Sequence, residues 1–245
     1  MLNFPGSIIQ TLLPYTCLLC NGASDQKRDL CRPCQKDLPA YHNGCPRCGV
    51  HLNTPNNTLP CGRCLNQPPP FHATHILFYY EPPVTHLLTR LKFHHHLTVA
   101  RMLSEIFYDQ IHNNWYRNKP YPDFLLPVPL HPDRLKERGY NQTLEIARPL
   151  AKRLHLPLWP DACIRTRPTL PQTTLSAKAR RHNVQNAFQI TRALRGAHLA
   201  IIEDVITTGS TLTSLCRTLI RSGARRIDIW CAARGMPVLP NEDCV

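Results

Sequence analysis

No apolar run in the 245 residues approaches the ~20 that a membrane-spanning helix needs, so a transmembrane helix is excluded. Met1 to Pro14 lacks both a basic start and a small-residue cleavage site, so it does not read as a secretory signal. A cytoplasmic location is the expectation. Acidic residues are scarce, 16 Asp and Glu against 29 Lys and Arg, so the chain cannot repel polyanions and a polyanionic partner becomes a question. A generally basic surface would carry the same excess. The length leaves room for one α/β domain and a smaller module.

Ile8, Ile9, Leu12 and Leu13 give one apolar face to a short helix ending at Pro14, suited to packing on the adjoining module or to lying on a membrane surface. Eight of the 12 cysteines then fall in four Cys-x-x-Cys pairs: Cys17/Cys20, Cys31/Cys34, Cys45/Cys48 and Cys61/Cys64. A two-residue gap lets two thiolates hold one metal from a tight knuckle, and two knuckles complete a tetrahedral S₄ site. Four knuckles imply two structural Zn²⁺ ions, with the pairing of knuckles left open. A disulfide scaffold is the competitor, but it suits an exported chain with staggered single cysteines. Without metal, residues 15 to 65 hold too few apolar side chains to fold. Gln67-Pro-Pro-Pro70 stiffens the junction, dividing the chain into a module over 1–70 and an α/β domain over 71–245.

Chemistry concentrates near the C-terminus. Leu199 to Ile202 reads as a buried parallel strand, with Glu203 and Asp204 where it should end. Val205 and Ile206 lead into Thr207-Thr208-Gly209-Ser210-Thr211. Leu212, Leu215, Cys216, Leu219 and Ile220 then share one face of a helix that Gly223 closes, and Arg226 to Cys231 resumes as a strand. Backbone N–H groups at a glycine turn opening a helix suit a phosphate dianion, and the hydroxyls add neutral donors. Two carboxylates just upstream would repel that phosphate but suit vicinal sugar hydroxyls or a hydrated Mg²⁺. The ligand so described is a ribose 5-phosphate.

Between these regions, Ala73 to Tyr80 reads as a strand. Two helices come next, one carrying Val84, Leu87, Leu88 and Leu91, the other Val99, Ala100, Leu103, Ile106 and Phe107, with His94-His95-His96 in a solvated turn between them. Phe124 to Leu130 reads as a buried strand ending in a proline-stiffened loop. Arg134, Lys136, Arg138 and Tyr140 come next, before a helix with Leu144, Ala147, Leu150, Ala151 and Leu154 inward and Pro149 inside it. A proline-rich polar arm runs from Arg165 through Lys178, Arg180 and Arg181 to Phe188. Residues 134 to 195 hold 13 Lys and Arg against 3 Asp and Glu, so anion binding is expected there.

The stretch 199–212 resembles the PRPP-binding motif of type I phosphoribosyltransferases. The cysteine pairs, Pro127-Val-Pro-Leu130, Arg138-Gly-Tyr-Asn-Gln142, Arg165 with Thr169 and Gln172, Arg180 with Asn183, and the loop 203–211 together resemble the ComF family, the competence protein F group that includes GntX-like proteins. The resemblance covers essentially the whole chain, with Glu203 where an Asp is more usual. It implies a type I phosphoribosyltransferase fold, a mainly parallel sheet with helices on both faces, behind a double zinc ribbon. It also implies that Glu203 and Asp204 hold ribose hydroxyls while Thr207 to Thr211 wrap the 5-phosphate of Mg²⁺–PRPP. The function it implies is DNA uptake in natural transformation, with single-stranded DNA bound in the cytosol or at the inner face of the membrane. A DNA-translocating helicase and the membrane DNA-uptake channel are implied partners. Arg134, Lys136, Arg138, Lys178, Arg180 and Arg181 are the candidate DNA contacts. The alternative is an active phosphoribosyltransferase in which Arg138, Arg165 or Arg180 clamps the leaving pyrophosphate, its acceptor base unidentified.

Overall fold

The computed structural model describes residues 15–53, 58–166 and 187–235. The N-terminal helix expected before Pro14 and the arm residues Lys178, Arg180 and Arg181 therefore lie outside the described residues.

Two short helices, α1 (Arg32–Lys36) and α2 (Gly62–Asn66), sit in the cysteine-rich region. Strand β1 (Ala73–Tyr79) is next, then α3 (Val84–Phe93) and α4 (Leu97–Gln110), the latter running into a π-helical turn at Ile111–Trp115. The three histidines fall between α3 and α4, as the break in apolar spacing implies. Strand β2 (Phe124–Pro127) leads to α5 (Pro132–Arg138) and α6 (Gln142–Leu154). A two-stranded antiparallel ribbon, β3 (Cys163–Arg165) with β4 (Phe188–Ile190), precedes the final β5 (His198–Ile206), α7 (Ser210–Arg221) and β6 (Arg226–Arg234).

The main sheet is parallel throughout, in the order β1-β6-β5-β2. Parallel strands need crossovers, and their helices cover both faces, so β5 and β6 can be apolar nearly throughout. On one face, Ala200, Ile202, Trp230 and Ala232 pack with α3, α4 and α6. On the other, Leu199, Ile201, Ile227 and Ile229 pack with α7 and the β3–β4 ribbon. Leu212, Leu215, Cys216 and Leu219 of α7 are buried as expected, but Ile220 is 40% exposed. Helix α6 likewise buries Ile146 beside Ala147, Leu150 and Ala151, whereas Leu144 is only half-buried. Both differences fall at the edge of an apolar stripe. Pro149 is accommodated inside α6.

The first face also takes in Cys17, Leu30 and Leu38, so the cysteine-rich region shares a core with α3 and α4. Arg90 of α3 donates to the carbonyl of Leu18 at 3.1 Å, and Arg101 of α4 pairs with Asp29. The carbonyl of Pro46 accepts from Thr74 N–H at 3.0 Å, tying the third knuckle to the start of β1.

Because the strands are parallel, their C-terminal ends lie along one edge. The chain leaves β2 for α6 on one face and leaves the adjacent β5 for α7 on the other. Such a divergence opens a crevice beyond the strand ends, the usual ligand position in open α/β sheets.

Candidate functional site

The loop from β5 to α7 occupies that crevice. Gly209, at φ 73°, caps α7 in the left-handed region, a conformation that L side chains rarely adopt. The hydroxyls of Thr208 and Ser210 lie 3.0 Å apart. A cavity of about 240 Å³, open to solvent, is lined by Glu203 and by Val205 through Leu212. The loop hydroxyls, a helix N-terminus and one carboxyl thus converge on a single space.

The two acidic residues remain in contact with each other but meet different surroundings. The sequence places both carboxylates at a strand end, but β5 continues through them to Ile206, and side chains alternate across a strand. Glu203 lines the cavity. Asp204 turns to the opposite face, where Lys92 of α3 pairs with its Oδ2 at 2.8 Å and Gln142 donates to the same oxygen at 3.3 Å. The Asp204 side chain is thus 6% exposed and paired with Lys92, whereas Glu203 faces the cavity.

Electrostatics separate the two further. Burial, with the Asp204 charge alongside, pushes the Glu203 carboxyl well above the usual carboxylate range. Asp204 is also buried, which would raise it, yet Lys92 holds it below its ordinary value. Desolvation opposes the charge on Lys92, but Asp204 overcomes this and raises its ammonium above the ordinary lysine value. The buried Glu203 carboxyl, shifted toward its protonated form, thus lines the cavity, and the Lys92–Asp204 pair lies behind it. A neutral carboxyl can donate a hydrogen bond as well as accept one, and does not repel a phosphate.

Lys92 was not legible as a functional residue. It comes directly after Leu91 on an amphipathic helix, where a lysine ordinarily marks the solvated face. Only the register of α3 against β5 brings it to Asp204.

The arginine candidates separate similarly. Arg138, at the end of α5, donates to Gln142 Oε1 at 3.1 Å and lies 5.2 Å from the Phe93 ring centre. It therefore reaches Asp204 only through Gln142. Arg165 at the end of β3 is mostly buried, which lowers its guanidinium pKa, and the nearby Glu203 opposes that shift. Arg165 thus stands on the cavity side of the sheet. Arg134 pairs with Glu137 at 2.9 Å, and Lys136 is exposed. Among aromatic residues near these cations, Trp159 stacks on Phe124 and Tyr140 packs near His95, so both are engaged within the fold.

The cysteines form two separate clusters, Cys17, Cys20, Cys31 and Cys34, then Cys45, Cys48, Cys61 and Cys64, each with its sulfurs within 4.8 Å of one another. Consecutive knuckles therefore share a site. The Cys20–Cys31 and Cys48–Cys61 sulfurs are both 3.8 Å apart. A tetrahedron with Zn–S bonds of about 2.3 Å has edges of about 3.8 Å, so the spacing fits one zinc per cluster. A hydrogen bond with the Cys48 thiol, joined by backbone N–H groups of Cys48, Cys61 and Arg47, pulls the Cys45 thiol down to about 4. Amides aimed at sulfur favour the thiolate that zinc requires. Four sulfurs close each site, which fits a structural rather than a catalytic ion.

Two closed Cys₄ sites ahead of a parallel sheet with an anion-shaped loop at its crevice define a zinc-ribbon α/β protein. Residues 8–65 match the model of the double zinc ribbon domain. DNA utilization protein YhgH of Escherichia coli O157:H7 is 36% identical over 206 residues, 84% of this chain and 90% of its own. Competence protein F of Haemophilus influenzae is 32% identical over 225 residues, 90% of this chain and 97% of its own. The solved hypoxanthine phosphoribosyltransferase of Trypanosoma cruzi is similar over 65% of this chain and 74% of its own, at 14% identity and a TM-score of 0.33. The chain belongs to the ComF family of competence and DNA utilization proteins. Among the described residues, no helix is long and apolar enough to cross a membrane.

Proposed function

We propose that this protein is a DNA-uptake and utilization factor that binds single-stranded DNA in the cytosol and carries a PRPP-type pocket. The observation that carries the reading is the 36% identity with a DNA utilization protein, extending over both the cysteine-rich region and the α/β sheet. The pocket adds its own support. The loop 207–211 offers neutral donors to a phosphate, and Glu203 offers one carboxyl to a ribose diol. In this reading Mg²⁺ enters on the pyrophosphate of PRPP, whose charge it neutralises. Asp204 supports the loop from behind and does not touch the sugar.

Association with a translocating helicase or the uptake channel would place the protein peripherally at the inner face of the membrane. The reading is tested by fluorescence anisotropy of a labelled single-stranded oligonucleotide, with duplex DNA as control and with or without Mg²⁺–PRPP. Tight binding that prefers the single strand is expected, and a PRPP-dependent shift would show that the two sites are coupled. Absence of binding at low salt would refute the reading.

The second reading is phosphoribosyl transfer to a nucleobase-type acceptor. Its specific support is the buried Glu203 carboxyl lining the cavity, raised above its ordinary value, with Arg165 on the same side of the sheet. A proton-holding carboxyl and a cation beside a sugar phosphate could serve departure of pyrophosphate. Base-dependent release of pyrophosphate from PRPP is the measurement that would favour it.

A further inference from the structure

The basic excess predicted over residues 134–195 does not end there. Residues 192–226 carry Arg192, Arg195, Arg217, Arg221, Arg225 and Arg226, and the acids among them are Glu203 and Asp204, both buried. All six arginines are exposed. Among the described residues, the ion pair made by this set is Arg226 with Asp228, and the Arg226 side chain remains 48% exposed.

The fold gathers most of these charges at the N-terminal edge of the sheet, away from the phosphate loop. The Gly196 amide donates to the Gly223 carbonyl, and the Arg225 amide to that of Ala197, both at 2.9 Å, so the turns before β5 and β6 lie together. A Cβ built on Gly223 would stand 3.5 Å from the Arg195 backbone, which fixes how closely they pack. Arg226 and Arg47 of the third cysteine knuckle both bear on His72, whose pKa is lowered first by burial and then by these two cations. The zinc ribbon thus adds a charge to the edge formed by β1, β6 and β5.

Helix α7 leads to this edge. Ser210, Ser214, Arg217 and Arg221 fall at helical spacing on the face opposite Leu212, Leu215, Cys216 and Leu219. Twelve residues of helix span about 18 Å, so the stripe runs from the loop at one end to the arginine edge at the other. Asp123, on the His198 amide at 2.7 Å, is an acid at this edge, but the exposed charges are mostly of one sign and arrayed linearly, which matches a chain of phosphates better than a compact anion.

We propose that Arg217, Arg221, Arg225, Arg226, Arg195 and Arg47 form the surface that binds the phosphate backbone of single-stranded nucleic acid. The proposal rests on the DNA-binding reading above and assigns that binding to a face of which the sequence pointed only to Arg195. The zinc ribbon contributes through Arg47, which its third knuckle holds beside β1.

The test is anisotropy of a labelled oligothymidylate across a salt series, with the full-length zinc-loaded protein and the triple variant Arg217→Ala, Arg221→Ala, Arg225→Ala. Each single-strand phosphate contact contributes about 0.7 to the slope of log K against log salt, so three lost contacts should flatten it by roughly 2. At 0.1 M salt that is a loss of roughly 100-fold in affinity. The corresponding triple lysine variant should keep the slope, because the charge is retained. Wild-type binding with an unchanged triple alanine variant would overturn the proposal while leaving the DNA-binding reading intact. Loss of binding from Arg134→Ala with Lys136→Ala, but not from the triple variant, would move the site to α5 and overturn it as well. If wild type fails to bind the oligonucleotide at low salt, both fall together. Triple-sensitive binding to phosphatidylglycerol vesicles without oligonucleotide binding would make the surface a membrane contact and refute the assignment.

Discussion

Replacing Lys92 by Met should destabilise the protein and weaken the pocket from behind. Methionine keeps the unbranched stem and its helix propensity, so the substitution removes chiefly the ammonium. It leaves the Asp204 carboxylate 6% exposed and without a cationic partner, with Gln142 at 3.3 Å and the Glu203 carboxyl as neighbouring side chains. Breaking a buried ion pair from one side costs about 3–5 kcal/mol, because the surviving charge keeps its desolvation penalty and loses its partner. The Lys92 side chain is 18% exposed, so water screens part of the attraction and the expected loss is near the lower end, about 3 kcal/mol. For a chain of this size that is a fall in Tm of roughly 6–12 °C.

The pH dependence gives a sharper criterion. Asp204 is held below its ordinary value in the native state, so its pairing contributes stability above the unfolded carboxylate range. Without Lys92, burial instead raises the Asp204 carboxyl, and the native variant takes up a proton that the unfolded chain does not. The deficit of the variant should therefore narrow as pH falls from 8 to 5.5. Lys92→Met combined with Asp204→Asn should recover most of the loss, since no buried charge is then left alone. Urea denaturation of the single and double variants across that range measures both effects. A single variant as stable as wild type, or a deficit independent of pH with no recovery in the double, would refute the pairing argument.

Glu203→Gln should act in the opposite sense. The native Glu203 carboxyl is raised, so the folded protein binds the extra proton and wild-type stability falls as pH rises above about 4.3. Glutamine removes that penalty, and Tm scans from pH 5.5 to 8 should show the variant gaining on wild type as pH rises; parallel curves would contradict a buried neutral carboxyl. Thr207→Ala with Thr208→Ala, both exposed, should abolish PRPP binding by calorimetry with Tm nearly unchanged, and retained affinity would remove the loop from the ligand site. Cys45→Ser with Cys48→Ser should halve the zinc content measured by elemental analysis, from two ions per chain to one. Unchanged metal would refute the second cluster.

Local patterns were legible where one segment decides the outcome. The four cysteine pairs, the apolar run Leu199 to Ile202, the glycine that opens α7 and the one that closes it each arise from nearest neighbours and helix or strand period. The strand order was not legible, because β1 and β2 flank β6 and β5 from far away in sequence. The pairing of knuckles was open for the same reason: four equivalent Cys-x-x-Cys units allow several partitions, and only folding selects consecutive ones. The acidic pair shows the limit most clearly. Glu203 and Asp204 look equivalent as neighbours in a motif, yet extending β5 by four residues puts their side chains on opposite faces. One then lines the cavity and the other meets Lys92.

Helix α3 explains why the cysteine-rich region and the pocket belong to one structure. Within three residues it donates from Arg90 to the Leu18 carbonyl of the first knuckle and from Lys92 to Asp204 beneath the loop. Its apolar face, Val84, Leu87, Leu88 and Leu91, packs in the same core as Cys17 and Leu30. A rigid helix fixed at both contacts carries the position of the first zinc site to the floor of the pocket. Zinc at that Cys₄ site would close a loop between Cys17 and Cys34 that has little core of its own, and would hold Leu18 and Leu30 against α3. The ribbon is thus a brace for the sheet as well as a carrier of Arg47. That dual role gives a physical reason for placing two Cys₄ sites ahead of an α/β sheet whose β5–α7 loop lies on the far side.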